Sequence, residues 1–384
     1  MRYIYIFDIN EVLIDRYPAA VAKSIKEITN NDDEIDFIFL YTENYYSKSK
    51  PQNLPLNSKV YYKKNINTRF LNSLTEKFPP VAFVGIGLRI PDLYLFTYFN
   101  KKNIKTYMIQ HGIFTAKLER LNPLSFAVKR YSTIIKSLRY IYSLSKLTKL
   151  PFFNLFYDFY QIHFKNELNL IDSKLFNFFF ISSIAFIYDK SWDKHYTQRF
   201  GYNTEQFVYI GNPDYDLARN LLKLIFQDDS ICYICQSMVE DGRYNKDKYL
   251  HFLKELKFNL KGRKLHLKLH PRSDLKLYES FIDENFTISN DLINCSTYIG
   301  HYSSLIKVPF LLGRKVILWE LDGHSIPKEF LEFSSIKIND WKFFKGYVNK
   351  INSSEFKIHS EMNNHLNNIN NPISIISNFI KNNI

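Results

Sequence analysis

Cysteine is scarce: a chain of 384 residues has three, Cys232, Cys235 and Cys295, an odd number and too few for a disulfide framework. That scarcity fits a reducing compartment. No uninterrupted apolar run reaches the ~20 residues needed to span a bilayer. The first residues, MRYIYIFD, enter a strand-like segment at once, without the length or the small-residue cleavage site of a signal peptide. P-loop, Gly-x-Ser-x-Gly and dinucleotide fingerprints are missing, as are internal repeats and recognised nucleic-acid modules. Acidic residues are in deficit, 38 against 51 Lys and Arg, and the formal charge of +13 should draw polyanions to the surface. Because the basic residues are spread widely, nucleic acid is not an expected partner. The expected location is cytoplasmic, peripheral at the inner face of the cytoplasmic membrane.

What the chain does have is a rhythm of short apolar runs rich in β-branched and aromatic residues. Tyr3–Phe7, Asp36–Tyr41, Val81–Ile86, Thr106–Gln110, Ile184–Tyr188 and Phe207–Ile210 form one series. Ser230–Gln236, Lys264–His270, Phe286–Ser289, Thr297–Gly300 and Lys315–Glu320 form a second. Buried strands separated by helical connections predict parallel α/β sheets. Two such series predict two Rossmann-like domains facing a central cleft, at residues 1–212 and 213–384, with the break near GNPDYD and an Asn-rich C-terminal tail on the second domain.

A segment at about 115–180 stands apart from this rhythm. It carries Lys129, Arg130, Lys136, Arg139, Lys146 and Lys149 among Phe126, Ile134, Tyr142, Phe152, Phe153 and Phe156, with Asp158 as the one acidic residue between Arg120 and Glu167. Basic helices with an aromatic face suit the headgroup layer of an anionic membrane, so the segment is expected to be a helical insertion that touches one. An ordinary helix pair covering the sheet is the alternative.

Candidate chemistry sits at strand ends. LHLKLHPRS places His270 and Arg272 beyond an apolar strand, where open α/β sheets bind ligands; His270 could protonate or hydrogen-bond a leaving phosphate, and Arg272 offers a forked donor. TYIGHYSSLIKVP brings His301, Ser303 and Ser304 to an expected helix start, an anion site for a donor phosphate. Glu320, past the next strand, could accept from ribose hydroxyls; Gln236 and Ser237 could touch the nucleotide, and the Glu240–Gly242 loop after them could touch it too or merely start a helix. In the first domain YMIQHGIF delivers Gln110, His111 and Gly112, with the His111 imidazole placed to act as base and Gly112 allowing a sharp turn. Asp8 and Asp92 are competing bases. No metal is expected: His266 shares a strand face with His270 but lacks a third ligand, Cys232 and Cys235 face opposite sides of a strand, and Asp214 and Asp216 lie at the interdomain turn.

LKLHPRSD followed by YIGHYSSLIKVPFLLGRKVI resembles the His-Pro and Ser-Ser motifs of the bacterial sialyltransferases and polysialyltransferases, which have a GT-B fold. That resemblance implies a metal-independent, inverting glycosyltransferase of capsule or lipooligosaccharide synthesis. It implies a CMP-activated nonulosonic (sialic acid-like) donor as substrate, no cofactor, and a glycan or glycolipid acceptor. By it His270 would stabilise or protonate the donor phosphate, and Ser303 and Ser304 would bind the same phosphate; the catalytic role of His111 rests on the residues alone. In that family an acidic-acidic-glycine motif of the first domain supplies the base, whereas here the string Glu240–Gly242 falls in the second. QHG is similar to a motif of the polyol-phosphate polymerases, which implies the alternative of a CDP-glycerol or CDP-ribitol phosphotransferase. Those enzymes carry an Asp two residues before the Ser pair, where this chain has His301. YIGNPDYD resembles the interdomain segment of Kdo transferases.

Overall fold

A computed structural model describes residues 1–29, 34–43, 51–110, 123–160, 181–211, 214–260, 262–270, 272–331, 334–349 and 371–384. The chain divides into two compact units, one of Met1–His111, Tyr131–Pro213 and Asn370–Ile384, the other of Gly112–Arg130 and Asp214–Ile369.

The first unit is a seven-stranded sheet in the order β3-β2-β1-β4-β5-β6-β7. Its strands are β1 (Arg2–Phe7), β2 (Ile35–Tyr41), β3 (Lys59–Tyr62), β4 (Pro80–Ile86), β5 (Lys105–Ile109), β6 (Ile184–Ile187) and β7 (Phe207–Tyr209), all parallel. Strand periodicity sends alternate side chains to opposite faces. Tyr3, Tyr5 and Phe7 therefore join a core with helices α2 (Thr68–Lys77), α3 (Ile90–Lys101), α4 (Pro123–Thr148), α5 (Phe152–Tyr160) and α6 (Asp193–Phe200). Ile4 and Ile6 join the opposite core, against α1 (Glu11–Ile28). Because both faces are covered, the strands read as continuous apolar runs.

The second unit holds α7 (Asp214–Leu222), β8 (Gln227–Ile234), α8 (Lys246–Asn259), β9 (Lys264–Lys268), β10 (Phe286–Ser289), β11 (Cys295–Gly300), α9 (Lys307–Leu311), β12 (Lys315–Trp319), α10 (Lys328–Leu331), β13 (Ile336–Ile338) and α11 (Trp341–Asn349). Its six strands are parallel in the order β10-β9-β8-β11-β12-β13. Strand order reverses between β8 and β11, and a parallel sheet binds its ligands at such a switch point, beyond the carboxyl ends. Among the described residues no helix is long and apolar enough to cross a membrane.

The C-terminal segment departs from expectation. Helix α12 (Pro372–Asn382) belongs to the first unit: Ile376 and Ile380 are fully buried, Ser377 Oγ donates to the Val21 carbonyl at 3.2 Å and Lys381 Nζ to that of Ile28 at 3.0 Å. Apolar residues at 373, 376 and 380 share one helical stripe, which the uncovered face beside α1 buries.

Candidate functional site

β8, β9 and β11 end together at the carboxyl edge of the second sheet. Beyond β9 the chain reaches Leu269 and His270. The backbone N–H of Arg272 donates to His270 Nδ1 at 3.1 Å. A neutral imidazole that accepts at Nδ1 carries its proton on Nε2, so the ring can donate from that nitrogen.

Arg272 is held in turn. Its Nη2 donates to Asp241 Oδ2 at 3.0 Å, and the same oxygen accepts from Ser237 Oγ at 3.0 Å and pairs with Arg243 Nη2 at 3.4 Å. Asp241 is buried, and one carboxylate between two guanidiniums leaves the cluster net positive. Beside it, Glu240 Oε1 accepts from the Asp274 N–H at 3.0 Å, while burial pushes its carboxyl above the usual range against the pull of backbone hydrogen bonds. Glu240 and Asp241 thus fasten the 270–274 loop at two points. The turn that makes this possible closes through Asp241 N–H to the Ser237 carbonyl, 2.9 Å, with Gly242 at φ 69° in the left-handed region. Sequence reading treats this acidic string as a possible nucleotide contact; in the structure it is the clamp on the His-Pro loop.

Across the switch point, Gln236 Oε1 accepts from the Tyr302 N–H at 3.4 Å, which joins the β8 loop to the β11 loop. Ser303 Oγ accepts from the Leu305 N–H at 3.3 Å as an N-cap. The expected helix start is shorter than the sequence suggests: one 3₁₀ turn, Ser304–Ile306, runs into the five-residue α9, so little helix dipole stands behind the two serines.

His301 must be reassigned. It is buried, its Nδ1 lies 2.7 Å from the Trp319 carbonyl oxygen and its Nε2 2.7 Å from Tyr233 Oη. The carbonyl can only accept, so Nδ1 carries the proton and Tyr233 donates to Nε2. Burial lowers the ring's pKa to about 4. With both nitrogens committed inside the core, His301 does not bind a donor phosphate. Glu320 is committed as well. Its Oε2 pairs with Lys337 Nζ at 2.6 Å and accepts from the Ile326 N–H, and hydrogen bonding to Lys337 holds the carboxyl below its usual range.

Three further histidine, cysteine and aspartate readings concern metal. His266 faces Thr287 Oγ1 at 2.7 Å and Gln227 Oε1 at 2.9 Å, and burial lowers its pKa. Cys232 and Cys235 are buried free thiols. Asp214 and Asp216 fall in the first turn of α7, their side chains outside the described residues. Among the described residues no group of three His, Cys, Asp or Glu side chains is placed to hold a metal ion. A cavity of about 300 Å³ lined by Lys257, Arg263 and Phe286 lies at the amino ends of β9 and β10, opposite the strand mouths, and takes no part in this site.

In the first unit, β5 ends at Ile109, and His111 and Gly112 lie outside the described residues. Gln110 is buried and its Oε1 accepts from the Tyr188 N–H at 2.9 Å, a brace between β5 and β6 that occupies its carbonyl end. Asp8 closes β1, buried, its Oδ1 accepting from Arg89 Nη1 at 2.8 Å and from the Ile9 N–H at 2.6 Å. Arg89 also donates from Nε to Asp92 Oδ2 at 2.6 Å and from Nη2 to the Ile86 carbonyl. Burial works against its charge, but Asp92 and Asp8 raise its pKa above the usual guanidinium value. Neither carboxylate is a free base: each is an ion-pair partner. Sequence reading passes over Arg89, although GIGLRIPD, with a Pro just after it, marks a strand-to-helix turn.

No family model matches the sequence, and no curated protein is similar to it. Solved structures are similar over the whole chain. The UDP-GlcNAc 2-epimerase of Methanocaldococcus jannaschii, in complex with UDP-GlcNAc and UDP, is 13% identical, with 99% of each chain covered and a TM-score of 0.52. The S. aureus MnaA–UDP structure is 9% identical, with 99% of this chain and 95% of that one covered and a TM-score of 0.55. The wall teichoic acid polymerase TagF soaked with CDPG is 12% identical, with 99% and 87% covered and a TM-score of 0.50. Identities this low show the fold, two parallel-sheet Rossmann-like domains of the GT-B type.

Proposed function

We propose that this protein is a nucleotide-sugar-dependent glycosyltransferase that moves an acidic nonulosonic sugar from a CMP donor to a glycan hydroxyl. One observation carries the reading: His270, locked by the Arg272 N–H into the tautomer that donates from Nε2, stands beside a net-positive Arg272–Asp241–Arg243 cluster at the mouth of a parallel sheet. Donation from Nε2 to a phosphate oxygen supports departure of CMP as the sugar–phosphate bond breaks, with the bonding pair leaving on oxygen. Arg272 compensates the charge that develops there. Ser303 and Ser304 add hydroxyls near the phosphate, Gln236 reaches toward the nucleotide, and Ser237 acts behind them through Asp241. The acceptor proton goes to a base, the role given to His111. Neither metal nor other cofactor is needed in this scheme, and inversion follows from a single displacement.

A second reading keeps the same site and changes the donor. CDP-glycerol or CDP-ribitol would place a diphosphate against the same cluster, with CMP leaving as the anhydride bond breaks and the polyol phosphate passes to the acceptor hydroxyl, and the likeness to TagF soaked with CDPG favours it. Nucleotide release from a donor panel separates the two. CMP formed from CMP-sialic, CMP-pseudaminic or CMP-Kdo donors in the presence of glycan acceptor supports the first reading; CMP formed from the CDP-polyols alone supports the second. Turnover of UDP-GlcNAc alone overturns both.

A further inference from the structure

Helix α5 of the first unit is apolar on two faces. Leu155 and Phe159 are buried in the unit's core. On the other side Phe153, Phe156, Tyr157 and Tyr160 are 79%, 37%, 59% and 40% exposed. Positions i, i+3, i+4 and i+7 share one stripe of a helix, and a surface helix ordinarily puts polar residues there. Here the stripe is wholly aromatic. The helix's one acidic residue, Asp158, is buried and off that face.

The neighbouring helix adds charge of one sign. Arg139, Tyr142 and Lys146 recur along α4 at intervals of three and four, all exposed, and exposed Lys149 follows the helix end. Tyr142 meets Phe152 with ring centroids 6.4 Å apart, Phe152 stacks on Phe156 at 6.1 Å, and Lys146 Nζ lies 4.5 Å from the Tyr142 ring centre. A basic stripe and an aromatic stripe therefore run into one another through packed rings. Aromatic side chains rest at the boundary between headgroup and acyl chain, and long cationic side chains reach past them to lipid phosphates.

We propose that the outer face of α4 and α5 is a membrane-docking surface for anionic lipid, with the α5 stripe set into the headgroup layer and Arg139, Lys146 and Lys149 on lipid phosphates. A polar protein surface would not compensate exposed Phe153 and Phe156, and a neutral bilayer would not use the cations; an anionic bilayer takes both. Docking is peripheral and independent of the donor proposed above.

Co-sedimentation of the full chain with vesicles of phosphatidylcholine alone or mixed with phosphatidylglycerol, at low and physiological salt, tests this. Binding is expected to require phosphatidylglycerol and to weaken with salt. The R139Q/K146Q/K149Q variant should partition roughly 100-fold less into anionic vesicles, the product of three cations each contributing about fivefold. F153S/F156S/Y157S should lose at least about tenfold even at low salt. Ile225→Ser, an exposed apolar residue of the second unit, should change nothing. Circular dichroism confirms that each variant is folded. Wild-type protein that ignores anionic vesicles overturns the proposal, as do folded aromatic variants that bind like wild type. So does an oligomer that only the aromatic variants dissociate, which would make the face a protein interface.

Discussion

The Arg272 backbone N–H fixes the tautomer of His270 through a 3.1 Å hydrogen bond to Nδ1, and the Arg272 side chain is itself fixed 31 residues away by Asp241. One loop thus sets both where the imidazole proton is and where the guanidinium lies.

Replacement of His270 by Gln removes the Nε2–H donor while keeping a polar side chain of similar reach. Turnover of the preferred donor should fall roughly 100- to 10,000-fold. CMP protection in a thermal shift experiment should fall much less, because the guanidiniums remain. An equal loss in both would make His270 a binding residue and not a proton donor.

Asp241 has a different signature. Asp241→Asn and Arg272→Lys should each weaken CMP protection about tenfold, since one removes the charge that orients the fork and the other removes the fork. The double variant should be little worse than either, with a coupling energy of about 1 kcal/mol. Full additivity would show that the 3.0 Å contact does not position Arg272.

Sequence pattern reaches some of this and misses the rest for identifiable reasons. Eleven runs foreseen as strands coincide with β1, β2, β4 to β12; the inner ones, buried on both faces, keep their apolar character whatever surrounds them, while the edge strands β7 and β10 are legible from their Phe, Val and Ile residues. Edge strands β3 and β13 are missed: KVYY and IKI have four and three residues, partly exposed, and carry no periodicity. The acidic string Glu240–Gly242 is plain to see, yet its partner loop lies far along the chain, so local reading cannot say what it holds. His301 shows the converse limit. Its place after a strand is legible, but whether the ring turns out to a ligand or in to Tyr233 and Trp319 depends on three strands at once.

Gly300 ends β11 where space is short. A Cβ there would lie 2.7 Å from Ile306 Cδ1, a fully buried atom of the turn after Ser303 and Ser304. Gly300→Ala should cost about 1–3 kcal/mol in denaturant unfolding. Adding Ile306→Val, which deletes that Cδ1, should restore most of it; a double variant less stable than Gly300→Ala alone would refute the clash.

Helix α12 completes the first unit, so its removal should be felt far from residue 371. Ile380→Ala opens a cavity between α12 and α1 and should cost roughly 2–5 kcal/mol. Stability measured by urea unfolding should fall, while CMP protection of folded protein persists, since α12 and the residues proposed to bind CMP belong to different units. Loss of CMP protection in folded Ile380→Ala protein would contradict that separation.

The buried His301 gives the protein a built-in acid sensitivity. Its pKa is about 4 in the folded chain against about 6.5 when unfolded. Above pH 6.5 both states are neutral there and the residue contributes no pH dependence. As pH falls below 6.5 the unfolded state gains a proton that the folded state refuses, so stability declines, by up to roughly 3 kcal/mol by pH 4, and no further below. His301→Gln should flatten this part of the profile, at the cost of a lower plateau near neutrality. Tyr233→Phe leaves Nε2 without its donor and should cost about 1–3 kcal/mol at neutral pH while sparing CMP protection. If His301 bound the donor phosphate instead, His301→Gln would abolish CMP protection at a pH where the folded fraction is unchanged, so the two measurements together decide between a core histidine and a ligand.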